Sequence, residues 1–194
     1  MDPLYAFVFV GLFSPGPNVI LLTASGARFG FRRTLPHILG VVVGVGVTAG
    51  LTGLGVGAAL AAAGPGLETA LKLAACGWIL WMAWKLWQSS AAGGDRQEGD
   101  RPFTFVEAVL FQWVNPKVWA VAMAAAAGYG AGLGPLGEAQ RLAMAFSGLN
   151  LFVCLFWTLA GAALAYLLKT PRAWRIFARI MAGALAVSAV MVFL

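Results

Sequence analysis

Charge is what this sequence has least of. Of its 194 residues only 10% are charged, against 61% hydrophobic, and the mean hydropathy is +0.85. A soluble domain carries roughly a quarter charged residues, so the composition excludes an ordinary water-facing globule. Histidine is almost missing, with His37 alone. The two cysteines, Cys76 and Cys154, form no CxxC pair and no Cys/His metal spacing, and they read as small packing residues. No carboxylate falls deep in an apolar run: Asp2 is terminal, Glu68 opens the third run, and Glu107 sits one turn into the fourth. That shortage disfavours a site for a dehydrated divalent ion, and no metal ligand is assigned. No nucleophile or acid–base pair points to an enzyme, and no cofactor is expected. The opening Met1-Asp2-Pro3 lacks the basic start of a secretory signal, so the first apolar segment is expected to be retained.

What the sequence has instead is apolar length. Runs of about twenty residues, enough to cross hydrocarbon, recur along the chain. They predict an all-α integral membrane protein of six transmembrane helices over 4–24, 38–63, 67–87, 103–127, 142–168 and 176–194. The whole chain, 1–194, reads as a single domain. It divides into a first repeat over 1–88, a polar linker over 89–101 and a second repeat over 102–194. Three spans per half is odd, so the second half enters the membrane inverted relative to the first, as in many transporters.

The net charge of +6 is not gathered on an amphipathic face, so no nucleic-acid partner is expected. Basic residues cluster instead between apolar runs. Arg28, Arg32, Arg33, Lys85, Arg96, Arg101, Lys169, Arg172, Arg175 and Arg179 flank one side, and Lys72 and Arg141 the other. By the positive-inside rule the crowded side is cytoplasmic and both termini lie outside. A re-entrant first span would instead leave the N-terminus inside.

Two proline motifs interrupt the first and fourth spans: Ser14-Pro15-Gly16-Pro17-Asn18 and Asn115-Pro116-Lys117. Pro17 and Pro116 lie about half the chain apart, and each is followed by a polar residue and then valine. Proline removes an amide and blocks the bond to the carbonyl four residues back. The carbonyls of Gly11, Phe13 and Gln112 should therefore be freed. Lipid offers such groups no partner, so broken helices survive only where they face protein or a watery cavity. Each break sets the carbonyl end of one half-helix beside the amide end of the next, with Asn18 a suitable cap. Opposite partial charges side by side suit a zwitterion. The competing view of each break is a plain structural kink. Paired breaks in corresponding halves point to a transporter's binding site, which makes Pro15, Gly16, Pro17, Asn18, Gln112, Asn115, Pro116 and Lys117 the candidate residues.

Lys117 is the one charge placed well inside a span. An ammonium at bilayer centre costs about 2.5–3.5 kcal/mol on insertion scales and is rarely idle. It can hold a substrate carboxylate, cap the freed Gln112 carbonyl or take part in proton coupling, for which Glu107 is the other candidate. Glu68 and Lys72, four apart, are expected to pair. Asn150 and Thr48 are mid-span polar residues for which helix–helix hydrogen bonding is the default. Glycines at Gly40 and Gly44, Gly46 and Gly50, and Gly53 and Gly57 recur at spacing four. They suit close packing within the chain or the seam of a homodimer. Trp78, Trp81, Trp84 and Trp87 run along the third span as an aromatic belt or, alternatively, an aromatic cage.

These residues carry a resemblance. Ser14-Pro15-Gly16-Pro17-Asn18 followed by Gly26, Gly30-Phe31-Arg32-Arg33 and Gly40 resembles the opening signature of the LysE/RhtB family of amino-acid exporters (LysE-type translocators). Phe111-Gln112-Trp113-Val114-Asn115-Pro116-Lys117 resembles the family's second signature. Ala75-Cys76-Gly77-Trp78 and Arg179-Ile180-Met181-Ala182-Gly183 also fit, so the similarity covers essentially the whole chain. Ala108 stands where the family often has glycine, and the linker is short. The resemblance implies a secondary transporter in the bacterial inner membrane, exporting amino acids or close derivatives by proton antiport. The Phe-Gln-Trp-Val-Asn stretch is most similar to the branch exporting cysteine and O-acetylserine. An inorganic or metal-ion permease and a membrane thiol–disulfide electron carrier are the alternatives. The carrier would need its cysteines at the breaks, and in sequence they are far from them.

Overall fold

In the computed structural model, which describes residues 2–91 and 100–190, every regular element is an α-helix. The middle of the linker, with Arg96, and the Glu68 side chain expected to pair with Lys72 lie outside the described residues.

Helix α1 (Pro3–Phe13) begins where the Asp2 carboxylate accepts from the Leu4 amide at 3.0 Å. It stops at Phe13 because Ser14 precedes Pro15 and takes an extended ψ of 148°. Helix α2 (Pro17–Phe29) restarts on Pro17, whose missing amide is tolerated in a first turn, and the two axes bend by 58°. Gly30, at φ +80°, takes the chain into α3 (Phe31–Gly53) through a conformation that residues with a Cβ avoid. Short α4 (Val56–Ala62) leads to α5 (Pro65–Ala91). The second half repeats the interruption. Helix α6 (Phe105–Val114) starts with a capping box between Thr104 and Glu107, ends at Asn115, and gives way to α7 (Pro116–Gly128). Helices α8 (Pro135–Leu164) and α9 (Pro171–Val190) follow.

Among the described residues, α3, α8 and α9 are each long and apolar enough to cross a membrane, and the bent pair α1–α2 adds a fourth span if taken as one. Helix α5 and the broken pair α6–α7, where the sequence predicts two further spans, are not among them. Polarity is distributed as lipid demands. Phe152, Phe156, Ile176 and Ile180 face outward, as do all four tryptophans of α5, while Thr48, Gln112, Asn115 and Asn150 are buried. The tryptophan row is thus a surface feature. Lys85 lies over the Trp81 ring at 4.1 Å and Arg179 over Trp87 at 5.0 Å, cations stacked on an outer aromatic face.

Glycine decides how closely the helices approach. A Cβ on Gly161 would stand 2.1 Å from the Thr23 carbonyl oxygen, and one on Gly26 would stand 2.2 Å from that of Thr158. The crossing of α2 and α8 is therefore backbone on backbone. Along α3, Gly40 and Gly44 face α6, whose Phe105 carbonyl and Gln112 side chain leave no room for a methyl, while Gly46 and Gly53 face α8 at Ser147 and Ala139. The glycine stripe is taken up by packing inside the chain.

Polar ties mark the two ends of the bundle. At one, Arg141 of α8 binds Asp2 at 2.7 Å, Glu138 at 3.2 Å and the Tyr129 carbonyl after α7 at 2.7 Å. At the other, Arg28 closing α2 binds Asp100, and Arg101 grips Glu107 at 2.6 and 2.7 Å. The pair α1–α2 thus runs from the first end to the second, and α6–α7 runs back.

Gly161→Ala is expected to destabilise the protein by about 1–3 kcal/mol, because backbone must move to admit the methyl. Gly148→Ala has nothing within 4 Å of its new Cβ and should be neutral or stabilising by up to about 1 kcal/mol. Thermal unfolding in detergent separates the two; equal midpoints would contradict the close α2–α8 approach.

Candidate functional site

The proline breaks leave backbone groups that must be satisfied locally. At the first break Ser14 Oγ donates to the Gly11 carbonyl at 2.9 Å, answering one of the acceptors that Pro15 frees. At the second, the Asn115 amide donates to the Gln112 carbonyl at 3.3 Å. The remaining satisfaction comes from across the molecule. Lys117, in the second break, donates through Nζ to the Ser14 carbonyl and, at 3.4 Å, to the Pro15 carbonyl of the first. It caps the opposite break, where the sequence suggested the adjacent Gln112 carbonyl.

A second cross-tie runs beside it. Asn18 Nδ2 donates to Gln112 Oε1 at 2.8 Å, and Gln112 Nε2 donates back to Asn18 Oδ1 at 3.2 Å. Gln112 Nε2 also reaches the Ala108 carbonyl at 2.9 Å, so this fully buried amide is held at both ends. Asn18 therefore does not cap α2. The N-cap is Gly16, no side chain caps α2, and none caps α7 behind Asn115. Two half-helices thus begin with amides that no side chain covers, each the positive end of a helix dipole.

Between these elements lies a cavity of about 20 Å³, room for one or two waters. Gly16, Asn18, Asn115 and Lys117 line it, joined by Asn150, Val153 and Cys154 of α8 and by the aliphatic Val19, Leu22 and Val118. Gly16 is extended at φ −177°, which any residue adopts. Its smallness matters for space, since a Cβ there would stand 2.7 Å from Lys117 Cδ and 3.0 Å from Nζ. Two buried polar atoms on this cavity's lining residues have no hydrogen-bond partner: Asn115 Oδ1, on a residue 1% exposed, and Asn150 Nδ2, on one 2% exposed. An unsatisfied buried group costs roughly 1–3 kcal/mol, so such atoms persist where function uses them.

Of the residues singled out from sequence, Gly16, Asn18, Asn115 and Lys117 come together at the cavity. Pro15, Pro17 and Pro116 build the breaks, and Gln112 braces them from one turn away. Glu107 is not part of the group. It closes the α6 capping box and is bound by Arg101 at the bundle end. Besides the aliphatic lining, Asn150 and Cys154 are the residues that sequence reasoning did not put there; the one available signal was a lone asparagine in mid-span. Cys76 packs elsewhere, against the cluster of Ile20, Ile79 and Phe111.

A helical chain with several apolar spans, whose two interrupted helices meet around a small cavity, has the build of a membrane transport protein. The model of the LysE type translocator family matches residues 9–194, and the chain belongs to that family. Membership makes it a multi-pass membrane transport protein and not an enzyme. Two relatives are both called "Cysteine/O-acetylserine efflux protein". The one from Salmonella choleraesuis (strain SC-B67) is 27% identical over 118 residues, covering 61% of this chain and 59% of the relative. The one from Escherichia coli O1:K1 / APEC is 25% identical over 120 residues, with the same coverage. The matched stretch thus spans about three-fifths of these curated relatives. No solved structure matches the chain.

Asn18→Ala and Gln112→Ala should each destabilise the fold by about 1–3 kcal/mol, and the double variant by less than their sum. A double-mutant cycle on thermal unfolding measures the coupling. Strict additivity would mean that the two side chains do not depend on one another.

Proposed function

We propose that the chain is a secondary transporter that exports amino acids or close derivatives from the cytoplasm by alternating access and proton antiport. The observation that carries this is the mutual bracing of the two breaks around one cavity by Lys117 and by Asn18 with Gln112. Uncovered amides opening α2 and α7, with the Lys117 ammonium, suit a substrate carboxylate; the Ser14 and Pro15 carbonyls, once Lys117 turns to that carboxylate, and the Asn115 side chain suit its ammonium. As the carboxylate enters, Lys117 exchanges backbone carbonyls for a charged partner, which loosens the tie between the two halves. Substrate binding and helix movement are thereby linked. In this scheme the halves are two inverted three-helix units over 1–88 and 102–194 that rock against each other. The antiparallel run of α1–α2 and α6–α7 between the bundle ends supports it. Arg28 and Arg101 then mark the cytoplasmic end in a bacterial inner membrane, with both termini outside.

Of the two candidate proton carriers we assign the role to Lys117. Glu107 already serves Arg101 and the Thr104 cap, so its contribution is structural. The relatives' names make cysteine and O-acetylserine the first substrates to test.

Labelled amino acids loaded into reconstituted vesicles are expected to leave faster when a proton gradient is imposed, and stereoselectively. Lys117→Ala, still folded and inserted, should lose that stimulation. Glu107→Gln should keep gradient-driven efflux while unfolding at a lower temperature. Indifference of the wild type to every amino acid would turn the assignment to inorganic ions or thiols. Full activity of Lys117→Ala would reduce the lysine to a cap on the first break.

A further inference from the structure

The breaks account for the ends of a zwitterion and leave one polar atom over. Asn150 lies in the middle of α8, outside both proline motifs, with its Nδ2 unpartnered and the residue almost wholly buried. It lines the cavity together with Val153 and Cys154 from the next turn of the same helix. Leu22 and Val19 of α2 and Leu12 of α1 supply the rest of the aliphatic lining. The carboxylate and ammonium of an amino acid find their partners on α2, α7 and Asn115, so the α8 wall is left to meet the substrate's side chain. This wall is small, largely apolar and uncharged, with the Asn150 amide as its strong hydrogen-bond donor beside the weak one of the Cys154 thiol.

We propose that Asn150 is the residue that reads the substrate's side chain, selecting small uncharged amino acids that carry an oxygen acceptor there over those that carry none. This rests on the exporter assignment above. A hydroxyl oxygen or an ester carbonyl accepts from Nδ2. An aliphatic side chain leaves that donor buried and unpaired, and a site built around a hydrogen bond discriminates strongly against the analogue that lacks it. A cationic side chain would meet a donor and hydrocarbon, and an anionic one would bring a charge with no countercharge on α8. Size is limited by Val153 and Leu22, so long side chains are excluded as well.

The test uses full-length protein in vesicles and two labelled probes of nearly equal size, L-serine and L-alanine. Wild type is expected to export L-serine with a kcat/KM about tenfold or more above that for L-alanine. Asn150→Leu, similar in shape and without a donor, should bring the ratio close to one, chiefly by raising KM for L-serine. Asn150→Thr, which restores a hydroxyl donor, should recover part of the preference. Wild-type export of both probes at equal efficiency overturns the proposal. So does an unchanged ratio in Asn150→Leu. If that variant does not insert, the wild-type ratio and the Asn150→Thr ratio decide. Export of no amino acid by wild type is a different failure, since it removes the exporter assignment itself.

Discussion

A helix interrupted within a bilayer has to find partners for its loose ends inside the protein, and here the first interruption finds one of them in the second. The Lys117 ammonium spans to the Ser14 and Pro15 carbonyls, and the amides of Asn18 and Gln112 clasp reciprocally. The first break is not satisfied alone. The constraint places the cavity at the meeting point of α1–α2 and α6–α7, and close-packed glycines bring α3 onto α6 and α8 onto α2. Burial of a positive charge in such surroundings is tolerable because backbone carbonyls, themselves in need of donors, surround it.

In the proposed function the same arrangement couples stability to transport. The ties between the two breaks are made of groups for which a zwitterionic substrate would compete. A ligand binding there would substitute its own charges for the protein's internal partners, so little net hydrogen bonding would be lost as the halves part. A transporter needs this near-balance, since a ligand shifts an equilibrium only by its differential affinity for the two states. In that scheme the cavity of about 20 Å³ would have to widen to admit an amino acid.

Much of this was legible in the sequence for identifiable reasons. Proline acts locally, so the ends of α1 and α6 and the restarts at Pro17 and Pro116 could be placed by inspection, as could the freed Gly11 carbonyl that Ser14 answers. What stayed hidden depended on tertiary distance. Asn18 has the right chemistry for a cap, and only the approach of α6 shows that Gln112 claims it instead. Lys117 was recognisable as a charge needing partners, yet those partners lie in the other half of the chain. The glycine pairs of α3 suited an internal contact or a dimer seam equally until their neighbours on α6 and α8 were known. Asn150 looked like a helix–helix hydrogen-bonding residue and Cys154 like a packing residue, because a long helix gives no local sign of which turn meets a cavity. The outward-facing tryptophans of α5 were harder still to assign, since belt and cage share one helical spacing.

The crossing of α2 and α8 has a mechanical corollary. With carbonyl oxygens seated where Gly26 and Gly161 lack side chains, the two helices have no compliant layer between them. In the proposed scheme α2 and α8 belong to opposite units, so this contact would be their fulcrum. The units could tilt about it, but sliding along it would drive a backbone oxygen into backbone.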